Sequence, residues 1–177
     1  MWLASAGHAE RIQLDLLDPV ERARPFLQAA DRARFTVGAA LLRRAVIAHT
    51  GTNPVVTRAC PDCARAHGKP LVPGTGLHVS VSHAGDLVAV AVTAAAPVGI
   101  DVELGSDLGW CRWESVVKAT GDGMRVPFFP VSDPIRYRGA PLAATVRDLD
   151  VGPEHVGAVT VLAGGRLDVE VIVCGSR

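Results

Sequence analysis

At 177 residues, 49% of them hydrophobic and 20% charged, the chain has the length to bury a sizeable core and the balance of a soluble globular protein. It has no apolar run of about 18 residues, which argues against a membrane-spanning helix, and the opening MWLASAGHAERIQL lacks the basic start and apolar stretch of a secretion signal. The formal net charge is zero; the expected compartment is the cytoplasm, and neither nucleic acid nor membrane is an expected partner.

In chain order, WLASA and RIQLDLL read as a short opening strand pair. The stretch from Asp18 to Gly51 reads as helical with a break near Pro25; Phe35, Gly38, Leu42, Val46 and His49 recur at helical spacing, and Gly51 is the stop. Arg32, Arg34, Arg43 and Arg44 decorate that helix as a solvated face. NPVVTRACPDCARAHGKPLVPGTG is rich in Pro and Gly and predicts a loop with one short strand. LHVSVSHAGDLVAVAVTA predicts a hairpin turning at HAGD, with Val79, Val81 and His83 on one face and Ser80 and Ser82 on the other. VGIDVE predicts a further strand, and WCRWESVVKATG a helix stopped by Gly121. ATVRDLD, HVGAVTVLAG and RLDVEVIVCG predict three closing strands.

The zero net charge conceals an asymmetry. Residues 1–70 hold ten Arg and Lys against six Asp and Glu, so the front half is basic and the back half acidic, as suits a ligand that is anionic on one side and needs a cation on the other. Only two of the eighteen basic residues are lysines, Lys69 and Lys118. Lysine is a compact point charge where arginine is a planar fork, so their retention calls for a reason. Cys60, Cys63 and His67 are spaced like part of a zinc knuckle lacking its fourth ligand; a tight polar turn with half-buried thiols is the expected reading, and disulfides are not expected.

The charge concentrates between Asp101 and Lys118. Asp101 and Glu103 are two apart on a strand and point to one face, which is costly unless a cation lies between them. Glu114 and Lys118 are four apart on a helix and share a face. If the helix crosses the strand end, Asp101, Glu103 and Glu114 form an all-oxygen cage of the kind Mg²⁺ prefers, with Lys118 beside it as a phosphate partner. His83 and Ser82 are candidate donors to an anion, and Lys69 is presented on a stiff turn before Pro70. Together these residues describe a cleft for a diphosphate.

VSVSHAGD, VGIDVE and WCRWESVVKATG, in that order after GKP, resemble the motifs of the Sfp-type 4′-phosphopantetheinyl transferases. LDPVERARPFLQAADRARFTVGAALLRR looks like the family's N-terminal helical region and GDGMRVP like its sequel to the motif helix, so the likeness covers nearly the whole chain. The resemblance implies transfer of the phosphopantetheine arm of coenzyme A onto a serine of an acyl or peptidyl carrier protein, with Mg²⁺ as cofactor and release of adenosine 3′,5′-bisphosphate. It assigns Asp101, Glu103 and Glu114 to the metal, Lys118 to the pyrophosphate, Lys69, His83 and Ser82 to the coenzyme A phosphates, and Arg34 to the nucleotide. Glu114, Lys118 and His83 are then the catalytic groups, with Glu114, or a metal-bound water it polarises, as base for the carrier serine.

Two departures bear on rate. Trp113 stands where the family carries a lysine before the glutamate, and only LGSDLG joins Glu103 to Trp110, where relatives have room for a helix beside the carrier site. The alternative reading is accordingly a catalytically impaired coenzyme A binder. The expected fold is α/β in the α+β sense, a monomer with two similar subdomains, 1–97 and 98–177, each a small, mostly antiparallel sheet with a packed helix, related by a pseudo-twofold and meeting at a cleft.

Overall fold

The structure is a computed structural model and describes residues 1–7, 14–60, 62–63 and 65–174, with Met124 described by its backbone alone. After strand β1 (Trp2–Ser5) the chain forms helices α1 (Pro19–Ala23) and α2 (Ala29–Thr50). The hairpin β2 (His78–Ala84) and β3 (Leu87–Thr93) follows, then β4 (Val98–Leu104) and α3 (Leu108–Thr120). After a 3₁₀ turn at Gly123–Arg125 come the strands β5 (Arg136–Tyr137), β6 (Ala140–Pro141), β7 (Thr145–Leu149), β8 (His155–Val161) and β9 (Ile172–Cys174). It is a mixed α and β architecture of mostly antiparallel sheets.

Local chemistry accounts for the helix limits. Asp18 caps α1 by accepting the Glu21 N–H at 2.8 Å while the Glu21 carboxylate returns to the Asp18 N–H, and Pro19 occupies the first helical position. Arg24 is extended ahead of Pro25, which separates α1 from α2. Gly51, at φ 74°, ends α2 in the left-handed conformation.

The first sheet runs β2-β3-β1-β9, with β9 parallel to β1 and the other pairs antiparallel. Helix α2 lies on it, burying Val37, Leu41, Leu42, Ala45 and Val46 against Ala4, Val79, Val88 and Val90. The second sheet, β4-β8-β7, is antiparallel and carries α3 across β4 and β8. Leu3, Ala89 and Ala91 of the first sheet join Val98, Ile100, Val102, Val159 and Val161 of the second in a shared core. Removing each such branched side chain from water stabilises the fold by about 1.5–3 kcal/mol.

Strands β2 and β4 run side by side without a backbone ladder. Hydroxyls replace it: Ser80 Oγ accepts the Ile100 N–H at 3.1 Å and Ser82 Oγ accepts the Val102 N–H at 3.3 Å. The alternation expected for β2 therefore holds, with Val79 facing the α2 core and the serines facing β4.

Several expectations need correction. Leu14–Leu16 of the expected RIQLDLL strand form a turn of 3₁₀ helix, Leu17 is a buried bend, and Arg11–Gln13 lie outside the described residues. The third closing strand leaves the second half and pairs with β1, a partner far away in sequence. The small pair β5–β6 was not expected. Arg43 is not on a solvated face: it is 2% exposed and ties α2 to α1 through Glu21 at 2.9 Å and Asp18 at 3.2 Å. Among the described residues, no helix is long and apolar enough to cross a membrane.

Candidate active site

The close approach of α3 to β4 begins at Gly99. A Cβ there would lie 2.0 Å from the Ser115 carbonyl oxygen and 2.4 Å from the Ala119 nitrogen, so a strand residue without a side chain is what lets the helix rest on the backbone. Strand alternation carries Asp101 and Glu103 onto the same helix-facing side. Asp107 fixes where α3 starts, accepting the Trp110 N–H at 2.9 Å, and Glu114 and Lys118 follow one turn apart. One oxygen each from Asp101, Glu103 and Glu114 thereby come within 4.8 Å of one another.

Lys118 supplies the positive charge that this crowding demands. Its Nζ lies 2.6 Å from Asp101 Oδ1 and 3.2 Å from Glu114 Oε1, and it donates to Ser82 Oγ at 3.0 Å. Asp101 is 1% exposed, and its second oxygen, Oδ2, is buried with no partner. The outer Glu114 oxygen, Oε2, accepts the Trp110 indole N–H at 2.9 Å. Burial pushes the Glu103 carboxyl above its ordinary range, and the Asp101 and Glu114 carboxylates push it further than Lys118 can offset. Three carboxylates share one ammonium, with a buried oxygen left over. This donor set, oxygen only and short of positive charge, fits a hard divalent cation such as Mg²⁺.

The other expected residues divide between two neighbouring cavities. Arg34, His83, Ser82, Lys118 and the three acids line a cavity of about 250 Å³. His83 is exposed at the end of β2; partial desolvation lowers its pKa first, and the cations Arg34 and Lys118 act in the same direction. Arg34 is anchored by its Nε to Gly85 O at 2.7 Å and by Nη1 to Asp31 at 2.9 Å. Ser82 differs from its expected role. Its hydroxyl donates inward to Asp101 Oδ1 at 2.8 Å and already accepts from Val102 and Lys118, so it has no proton to offer an external anion.

Lys69 lies in the adjoining cavity of about 670 Å³, whose wall shares Arg58, Val81 and Lys118 with the smaller one. Its Nζ donates to Val98 O at 3.1 Å and Ala119 O at 3.0 Å, bridging the start of β4 and the end of α3. Burial lowers its pKa to about 8. The ammonium is thus removed from the acids and retains one N–H beyond those two bonds.

Sequence reading missed Arg58 and Trp110. Arg58 lines both of these cavities and a third, of about 920 Å³, that includes Arg24, Phe35 and His67. Its Nε is buried without a partner, desolvation lowers its pKa, and its guanidinium lies 5.8 Å from the Phe35 ring centre. Nothing in a Pro- and Gly-rich loop marks such a residue. Trp110 could have been found from its position four before Glu114. Trp113 turns away from the acids: it is buried against Val117 and Val126, and its indole N–H donates to Pro127 O at 3.2 Å.

Outside the acidic centre, Cys60, Cys63 and His67 gather a second set of ligand atoms within 4.8 Å of one another. Among the described residues, no other trio of such groups comes together. No protein-family profile matches the chain, and no curated protein matches it.

Proposed function

We propose that the chain is a 4′-phosphopantetheinyl transferase, moving the phosphopantetheine arm of coenzyme A onto a serine of an acyl or peptidyl carrier protein. The observation that carries this reading is the buried, unpartnered Oδ2 of Asp101, set among the Glu103 and Glu114 carboxylates beside Lys118, on a cavity edged by Arg34, Arg58 and His83. A helix packed on a sheet before Pro97 and another after it, with only β9 returning to the first sheet, supports the two-subdomain fold expected of such an enzyme.

In this reaction the serine oxygen of the carrier bonds to the β-phosphorus of coenzyme A. The bond from that phosphorus to the bridging oxygen breaks, and adenosine 3′,5′-bisphosphate leaves. Asp101, Glu103 and Glu114 would hold Mg²⁺, which when bound supplies charge neutralisation for the diphosphate oxygens. Lys118, held by Asp101, Glu114 and Ser82, places its positive charge beside the pyrophosphate from a fixed position, so little reorganisation accompanies the charge that develops. Arg58 and His83 offer further N–H donors, and Lys69 one from the adjoining cavity. Glu114, steadied by the Trp110 indole, accepts the serine proton. The nucleophile belongs to the partner, so this chain requires no catalytic serine.

A second reading, coenzyme A binding with slow or no transfer, draws on two features. Trp113 is turned into the aromatic cluster, and the connector is a short turn through Gly105, at φ 93°, into the α3 cap. Calorimetric titration with coenzyme A tests the part common to both readings. Binding is expected to require Mg²⁺, and Asp101→Asn is expected to abolish the Mg²⁺-dependent binding; binding indifferent to Mg²⁺ in the unaltered protein contradicts the proposed site.

A further inference from the structure

The segment from Arg58 to Lys69 presents a structural problem of its own. Between those residues it contains Ala, Cys, Pro, Asp, Arg, His and Gly, with no large apolar side chain to bury. Among its described residues, none is buried. Yet its base is closed: Gly68 N–H donates to Arg58 O at 2.8 Å, and Thr57 and Leu71 exchange two backbone bonds of 2.9 Å. The two arms touch at Gly68, where a Cβ would lie 2.2 Å from Ala59 O. A loop pinned at its base and lacking a core needs some other contact to order its tip.

The tip carries two such contacts, an exposed ion pair from Asp62 to Arg125 and a cluster of ligand atoms. Cys63 Sγ is 3.0 Å from His67 Nε2, and Cys60 Sγ completes a trio within 4.8 Å. The Asp62 backbone N–H points at Cys60 Sγ, 3.4 Å away, a donor placed to stabilise a thiolate. Two sulfurs and an imidazole form a soft to borderline donor set, which selects Zn²⁺ as clearly as the oxygens of Asp101, Glu103 and Glu114 select a hard cation. Cys60 and Cys63 are free thiols, half-buried, and His67 is exposed, so a fourth tetrahedral position faces solvent.

We propose that Cys60, Cys63 and His67 bind one Zn²⁺ through two thiolates and the imidazole, with solvent as the fourth ligand. The ion clips the loop and thereby holds Arg58 and Lys69, its two ends, in the cavity walls. The inference rests on this loop alone and stands whether or not the transferase reading does.

The full chain, purified without a polyhistidine tag or chelator, is assayed for metal by elemental mass spectrometry and, after exchange into Co²⁺, by absorption spectroscopy. About one zinc per chain is expected, together with the thiolate-to-cobalt charge-transfer band and intense d–d bands of a tetrahedral site. Cys60→Ser and Cys63→Ser are each expected to lower zinc content at least tenfold. Their circular dichroism controls for folding. Trypsin cleavage after Arg65 in the unaltered protein supplies a readout free of mutation: it is expected to quicken at least fivefold on chelation and return to its first rate when Zn²⁺ is restored. Less than a tenth of an equivalent of zinc with no uptake on titration overturns the proposal. So does zinc content unchanged in the Cys60→Ser/Cys63→Ser double variant, or a Cys60–Cys63 disulfide that persists in reducing buffer.

Discussion

The ammonium of Lys118 lies 2.6 Å from Oδ1 of Asp101, while Oδ2 of the same buried carboxylate has no partner. One oxygen is satisfied from within the protein and the other is left over. Removing either charge should therefore expose how much the site depends on a cation.

Lys118→Met leaves the Asp101 charge buried without its ammonium. Breaking a buried pair from one side costs about 3–5 kcal/mol. Lys118 keeps 26% of its side chain exposed, so solvent screening reduces the expected loss to roughly 2 kcal/mol. Urea unfolding checks the figure, and millimolar Mg²⁺ should restore part of the loss. A variant as stable as the parent would mean that the Lys118–Asp101 contact does not stabilise the fold.

Gly99→Ala tests what brings the site together. Its Cβ would meet backbone atoms of α3 at 2.0 and 2.4 Å, and neither can yield without moving the helix. A loss of about 3 kcal/mol or more is expected from overpacking against backbone, read as a lowered thermal midpoint. An unchanged midpoint would show that α3 does not rest on β4 at this residue.

Lys69 gives a pH dependence of known sign. Its folded pKa is about 8, depressed by burial, whereas in the unfolded chain it titrates near 10.4. Between those values the unfolded state binds more protons, so its contribution to stability rises with pH across that window. Unfolding free energies from pH 7.5 to 10 should show a rising difference between the parent and Lys69→Met. A flat difference would mean that Lys69 is not desolvated.

Arg58→Met distinguishes a binding group from a structural one. A half-buried guanidinium whose buried Nε has no partner contributes little to folding, and replacing it should leave stability unchanged or slightly raised. Charge-assisted hydrogen bonds to a phosphate are worth about 1.5–3 kcal/mol, so coenzyme A affinity should fall at least tenfold. Calorimetry and thermal melting together separate the two effects.

The elements near the site were legible because their chemistry is local. The two-residue spacing of Asp101 and Glu103, the four-residue spacing of Glu114 and Lys118, and Gly121 as a stop each follow from strand or helix geometry. What the sequence did not reveal depends on partners far along the chain. The inward turn of Ser82, the burial of Arg43 against α1 and the pairing of β9 with β1 come from packing between elements that no periodicity links. Arg58 was hidden for a related reason: its loop carries no repeating pattern, and its importance comes from the three cavity walls it joins. The spacing that groups Cys60, Cys63 and His67 was visible, and the structure brings the three together.

Transfer itself is read from the mass of an apo carrier protein incubated with this chain, coenzyme A and Mg²⁺, beside a Glu114→Gln control. The carrier is expected to gain the phosphopantetheine mass, and the control to be slowed at least a hundredfold. No gain on any of several acyl and peptidyl carriers, or a gain undiminished in the control, would contradict the transferase reading.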